Sequence, residues 1–215
     1  MGVVTLLDKN VTINRCTSRK YEELFDYLED HPFLGMVTER TLDSTRRVIG
    51  GKLGGINYKR AISEFNRLPT YLEIRKFRGP EYAGLLHEVN QFFFKILNEH
   101  RKSLSIDPGL VSSRYRRLVK EINMNSGIPS EEERCNLGQK IFSSVPEEED
   151  AKIIVEALCL KEYSVKFVAS ADRHLSEDFV SKEIEKRFEV KCRYPEKILP
   201  ELEKYEHLFK RKVIL

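Results

Sequence analysis

Val3-Val4-Thr5-Leu6-Leu7 is a run of five strand-forming residues with no polar alternation, and it stops at a carboxylate, Asp8. An uninterrupted run of this kind suits a strand covered on both faces, as in a parallel sheet flanked by helices; a sheet with one wet face would alternate. The pattern returns late in the chain. "VKFVASAD" predicts a strand of five to six residues ending in Asp172, and "EVKCR" predicts another. Phe33 to Val37 reads as a second short strand between the first and these two.

Helical periodicity separates the runs. Thr17-Ser18 is expected to open a helix carrying Tyr21, Leu24, Phe25 and Leu28, and Thr38-Glu39 a helical stretch that includes Leu42, Val48 and Ile49. "DAKIIVEALCL" sets Ile153, Ile154, Ala157 and Leu158 on one helical face, Phe179 to Phe188 gives another helix, and a last one follows Pro195. Strand and helix alternating in this way imply right-handed crossovers and parallel pairing. The expected fold is an open parallel α/β sheet flanked by helices in three layers.

The middle breaks the rhythm. After Gly50-Gly51 and Gly54-Gly55, helical patterns cover about 58–77, 80–103 and 108–124, and Ser130 with Glu133 resembles a capping box. The expected organisation is therefore an α/β core from residues 1–49 and 140–215, with 50–139 as a helical insertion or subdomain. Charge follows the same division: residues 50–120 hold 14 Lys/Arg against 6 Asp/Glu, within a chain whose net charge is only +3. A basic middle could attract a polyanion, although a solvated helical face is the commoner meaning.

No apolar run approaches the roughly 20 residues of a membrane span, and Val3 to Leu7 is too short for a signal peptide. Cys16, Cys135, Cys159 and Cys192 are far apart, without C-x-x-C spacing or a nearby histidine, which argues against zinc and a disulfide framework. They read as reduced intracellular thiols, and the expected location is the cytoplasm.

In a parallel sheet the functional crevice lies beyond the carboxyl ends of the strands. Asp8 and Asp172 fall at such ends, while Glu39 and Asp150 fall at helix starts facing the same edge. Each has an ordinary structural use, as a helix cap or a turn residue. Together they would repel one another unless a cation neutralised them, and an all-oxygen set suits Mg²⁺ or Mn²⁺. Such an ion can activate water and stabilise charge on a phosphodiester. Glu148 and Glu149 stand close enough to Asp150 to replace or supplement it.

The stretches "LLDKNV", "MVTER", "DAKIIVEAL" and "FVASADRHL", with the closing "VKCRYPEKILPEL", resemble the PIN-domain family of metal-dependent ribonuclease-like proteins. The likeness covers residues 1–45 and 140–205 and is absent between. It implies a PIN-like fold in which Asp8, Glu39, Asp150 and Asp172 are catalytic and Asp8, Asp150 and Asp172 hold Mg²⁺ or Mn²⁺. Asn10 and Ser170 would orient the acids or a water. The implied reaction is hydrolysis of single-stranded or structured RNA.

In the insertion, Arg114, Arg116, Arg117 and Lys120 surround Tyr115 and could bind phosphates while the ring stacks on a base. The same spacing permits an exposed basic stripe without a ligand. Phe92 to Phe94 read as core or as a homodimer contact, and a protein inhibitor is a further partner such a chain could have; no membrane partner is expected.

Two other readings compete. Asp8-Lys9-Asn10-Val11-Thr12 resembles the nucleophile loop of haloacid-dehalogenase-like phosphatases, but Asn10 stands where that family needs a proton-donating acid. The other is a non-catalytic PIN-like module that binds RNA or protein.

Overall fold

The computed structural model describes residues 2–52, 55–101, 148–176 and 178–205. Among these, five strands form one all-parallel sheet. They are β1 (Val3–Leu7), β2 (Gly35–Thr38), β3 (Glu73–Arg75), β4 (Val165–Ala169) and β5 (Val190–Arg193). The spatial order is β3-β2-β1-β4-β5, with β1 at the centre. The expected open parallel α/β sheet flanked by helices is therefore observed.

Every residue of β1 is buried, as a central strand requires. Its side chains divide by parity. Val4 and Leu6 join Met36, Val168 and Val190 on one face, while Val3 and Leu7 join Val37, Phe167 and Ala169 on the other. Helices α5 (Pro80–Arg101), α6 (Glu148–Leu158) and α8 (Asp178–Phe188) cover the first face with Val89, Phe93, Ile154 and Ile184. The second face is covered by α1 (Lys9–Ser18), α2 (Glu22–Asp30), α3 (Glu39–Lys52), α4 (Gly55–Tyr71) and α9 (Pro195–Glu203), through Val11, Phe25, Ile49, Leu68 and Ile198. The remaining helix, α7 (Arg173–Ser176), is a single turn after β4.

Three sequence expectations need correction. First, Thr17 and Ser18 do not open a helix. They end α1, with their hydroxyls donating back to the Ile13 and Asn14 carbonyls at 2.8 Å each. That helix begins directly after Asp8, and its apolar pattern is weak because Thr12 and Arg15 share its inward face with Val11 and Cys16. Second, the helical pattern from 58 to 77 stops at Tyr71, and Glu73–Arg75 pair with Met36–Thr38 as a sheet edge. A three-residue strand with two charged members carries too little signal to interrupt the helical periodicity on either side.

Third, residues 55–101 do not stand apart as an insertion. They supply that edge strand and two helices whose Ala61, Leu68, Val89, Phe93 and Ile96 are buried in the two cores. Phe93 is thus core rather than surface, as one of the two sequence alternatives held. The expected helix 108–124, the capping box at Ser130 and the basic cluster of Arg114, Arg116, Arg117 and Lys120 lie outside the described residues.

Among the described residues, no helix is long and apolar enough to cross a membrane.

Candidate functional site: a buried carboxylate nest

The parallel ladder delivers Asp8 to the carboxyl edge of the sheet. Leu7 pairs with Ala169 in register, and the Asp8 amide continues the ladder by donating to the Ala169 carbonyl at 3.0 Å. One residue further along β4, the Ser170 amide donates to the Arg193 carbonyl on β5 at 3.0 Å. Asp8 and Ser170 are therefore side by side although 162 positions separate them. The Ser170 hydroxyl donates to Asp8 Oδ2 at 2.9 Å and accepts the Asp172 amide at 3.1 Å. The Asn10 side-chain amide in turn donates to Asp172 Oδ2 at 3.4 Å. Sequence reasoning named these four residues, and the fold joins them in one hydrogen-bonded network.

Asp8 also caps α1. Its Oδ1 accepts the Lys9 amide at 2.6 Å, so this carboxylate spends one oxygen on the helix and one on Ser170. Only 6% of the residue is exposed. Burial first, and the negative charge of Asp150 second, push its pKa from the ordinary 3.8 up to about 6, against the lowering effects of Ser170, the Lys9 amide and the Lys9 charge. Asp150 sits in the first turn of α6, itself 9% exposed, and its charge is felt at Asp8 from the opposite layer. The same two acids, following the larger effect of burial, raise the pKa of Cys192 on β5.

Of the alternatives around Asp150, Glu149 has another use. Its carboxylate reaches Arg40 at 3.2 Å and Lys152 at 2.5 Å, and although burial works against its charge, these cations hold it below the usual carboxylate range. The side chain of Glu148 lies outside the described residues.

Glu39 is placed differently from the other acids. It begins α3 immediately after β2, in a turn where the Thr38 hydroxyl accepts the Thr41 amide at 3.2 Å. The position is at the expected edge, but its carboxylate is engaged with Lys76, from the segment after β3, and both side chains are 44% exposed. Among the described residues, no group of three or more His, Cys, Asp or Glu side chains stands ready to hold a metal ion. What the fold assembles is a buried Asp8 under the charge of Asp150, with Asp172 attached through Ser170 and Asn10 and Glu39 on the rim.

No family model matches this chain, and no curated protein or solved structure does either.

Several residues of the site escaped sequence reasoning. Arg40 clasps the buried Glu156 with Nε and Nη2, each at 2.9 Å, and Lys9 and Lys76 place positive charge beside Asp8 and Glu39. Arg40 and Lys76 meet partners distant in sequence, whereas Lys9 directly follows Asp8. Only the local signal of "TER", a charged residue directly after the Glu39 position, could have drawn attention to Arg40.

The donor chemistry suits a hard divalent cation. Carboxylates, an amide and a hydroxyl offer oxygen alone, which is the ligand set of Mg²⁺ and Mn²⁺ and not of zinc or copper. A buried carboxylate such as Asp8, whose proton affinity is raised by burial and by the charge of Asp150, is also what such an ion would stabilise, by displacing the proton.

Proposed function

We propose that the chain is a PIN-like nuclease that hydrolyses phosphodiester bonds, in RNA, with the help of Mg²⁺ or Mn²⁺. The observation that carries this reading is the Asp8–Asp150 pair at the carboxyl end of the central strand: a carboxylate buried to 6% exposure whose charge is opposed by a second acid. Acids kept for packing are usually clasped by cations, and a buried acid whose proton affinity is raised despite a nearby lysine is a candidate for function.

In this reading Asp8, Asp150 and Asp172 hold the ion. Bound there, it would activate water and neutralise charge developing on the phosphate. The chain's own residues prepare that site. Ser170 fixes Oδ2 of Asp8 and the start of the Asp172 turn, and Asn10 holds Asp172 toward α1. Lys9, next to Asp8, offers a cation to the phosphate at the rim. Glu39 would join once freed from Lys76. The basic cluster at Arg114, Arg116, Arg117 and Lys120 would track the RNA backbone.

Hydrolysis of labelled RNA tests the proposal. Cleavage should require Mn²⁺ or Mg²⁺ and vanish in Asp8→Asn; metal-independent cleavage, or full activity in that variant, removes Asp8 from the reaction.

One observation favours a second reading, the non-catalytic RNA- or protein-binding module: Lys76 occupies Glu39, so a cation already answers one of the four acids. That module would bind RNA in chelator, with affinity falling steeply as salt rises.

A further inference from the structure

Arg40 sits in the first turn of α3, directly after Glu39, and reaches across the carboxyl edge of the sheet to a helix of the opposite layer. Its Nε and Nη2 each meet a different oxygen of Glu156 at 2.9 Å, and Nη1 meets Glu149 at 3.2 Å. Glu156 is only 3% exposed. Both acids belong to α6, the helix that carries Asp150. The apolar side of α6 belongs to the core with Val4 and Leu6, whereas Ile49 of α3 belongs to the core with Val3 and Leu7. One guanidinium therefore joins helices of the two layers.

Stability alone does not account for such a bridge. A buried ion pair recovers little more than the cost of desolvating its two charges, and an apolar pair of similar size would often hold the layers better. What a forked guanidinium supplies is geometry, because two parallel bonds fix distance and angle together.

We infer that Arg40 is a positioning residue for the carboxylate nest: its three bonds to Glu156 and Glu149 set α6, and hence Asp150, at a fixed spacing from Asp8 and Glu39 so that the acids can share a divalent cation. This rests on the metal-dependent reading of the nest. Residues that orient metal ligands from behind commonly change metal affinity about 10- to 100-fold when removed.

The test is direct Mn²⁺ binding by calorimetry to the full chain, wild type beside Arg40→Lys and the double variant Arg40→Gln/Glu156→Gln. Lysine keeps the charge and loses the fork. The double variant leaves the pair's net charge unchanged and strands no buried acid, so it preserves folding even where Arg40→Lys does not. Circular dichroism and thermal unfolding confirm that each protein is folded at the titration temperature. Both folded variants should bind Mn²⁺ at least about tenfold more weakly than wild type, whatever their thermal stability. Wild-type binding with either folded variant within about twofold of it overturns the positioning role alone. A wild-type protein that takes up no Mn²⁺ overturns the metal-dependent reading and this inference with it.

Discussion

Asp8 and Glu156 are both buried carboxylates near the carboxyl edge of one sheet, yet their surroundings differ. Glu156 meets a guanidinium fork. Asp8 meets a hydroxyl, a backbone amide and the charge of another acid, and its proton affinity rises accordingly. The fold thus clasps Glu156 with a hydrogen-bonding cation, whereas at Asp8 the charge of Lys9 is outweighed by burial and by Asp150. At the β5 edge two half-buried acids are matched as well, with Arg193 reaching Glu185 and Glu201 at 2.7 Å each. The contrast separates acids clasped by a guanidinium from one whose proton affinity burial and a second acid raise.

The largest expected effect comes from breaking the matched case. Arg40→Ala leaves Glu156 buried without its cation and should destabilise the fold by about 3–5 kcal/mol in chemical denaturation at neutral pH. A loss under about 1 kcal/mol would show that Glu156 is not held by that pairing, and the contrast would collapse.

The next effect comes from Asp8 and has a defined sign. Its folded pKa of about 6 lies above the ordinary 3.8, so the folded state holds the proton more tightly than the unfolded chain. Stability from this group is complete below about pH 4 and is lost as pH rises through about 6, to a limit of roughly 3 kcal/mol. In chelator, the stability of Asp8→Asn relative to wild type should therefore improve by up to that amount between pH 4 and pH 8. The Asn side chain gives up one acceptor, which sets the variant back by about 1–3 kcal/mol at every pH without altering the trend. A flat difference across that range would mean that Asp8 ionises normally.

Ser170→Ala sharpens the unmatched case on a smaller scale. It removes a donor to Asp8 and an acceptor for the Asp172 amide, at a cost of about 1–2 kcal/mol. Because the hydroxyl lowers the Asp8 pKa, its loss should move the Asp8 titration, followed by carboxyl carbon NMR, to higher pH. The smallest change belongs to the rim. Lys76→Gln breaks a half-exposed pair and should shift stability by no more than about 0.5 kcal/mol. Thermal unfolding checks it, and a larger shift would mark Lys76 as structural.

How far the sequence could be read depended on where each signal resides. The central strand was legible because an apolar run without alternation needs cover on both faces, and Val3–Leu7 has it. Asp8, Asp150 and Asp172 were legible from their places after strands or at a helix start, and Asn10 and Ser170 from the short stretches around them. By contrast α1 was hidden by buried Thr12 and Arg15, which interrupt its apolar face, and β3 by its brevity. The Thr12 hydroxyl finds Thr45 of α3 at 2.7 Å, a pairing that makes a polar residue suitable for the interior and that no local pattern announces.

The sequence by itself determined the type of sheet, most of its strands and the presence of carboxylates at their carboxyl ends, because periodicity and strand length are properties of neighbours in the chain. Tertiary structure alone decided which acids meet a cation and which meet another acid. Arg40 and Glu156 lie 116 positions apart, and Asp8 and Ser170 lie 162 apart. Burial and charge depend on what packs in space, so a carboxylate becomes a matched clamp at Glu156 and an acid of raised proton affinity at Asp8.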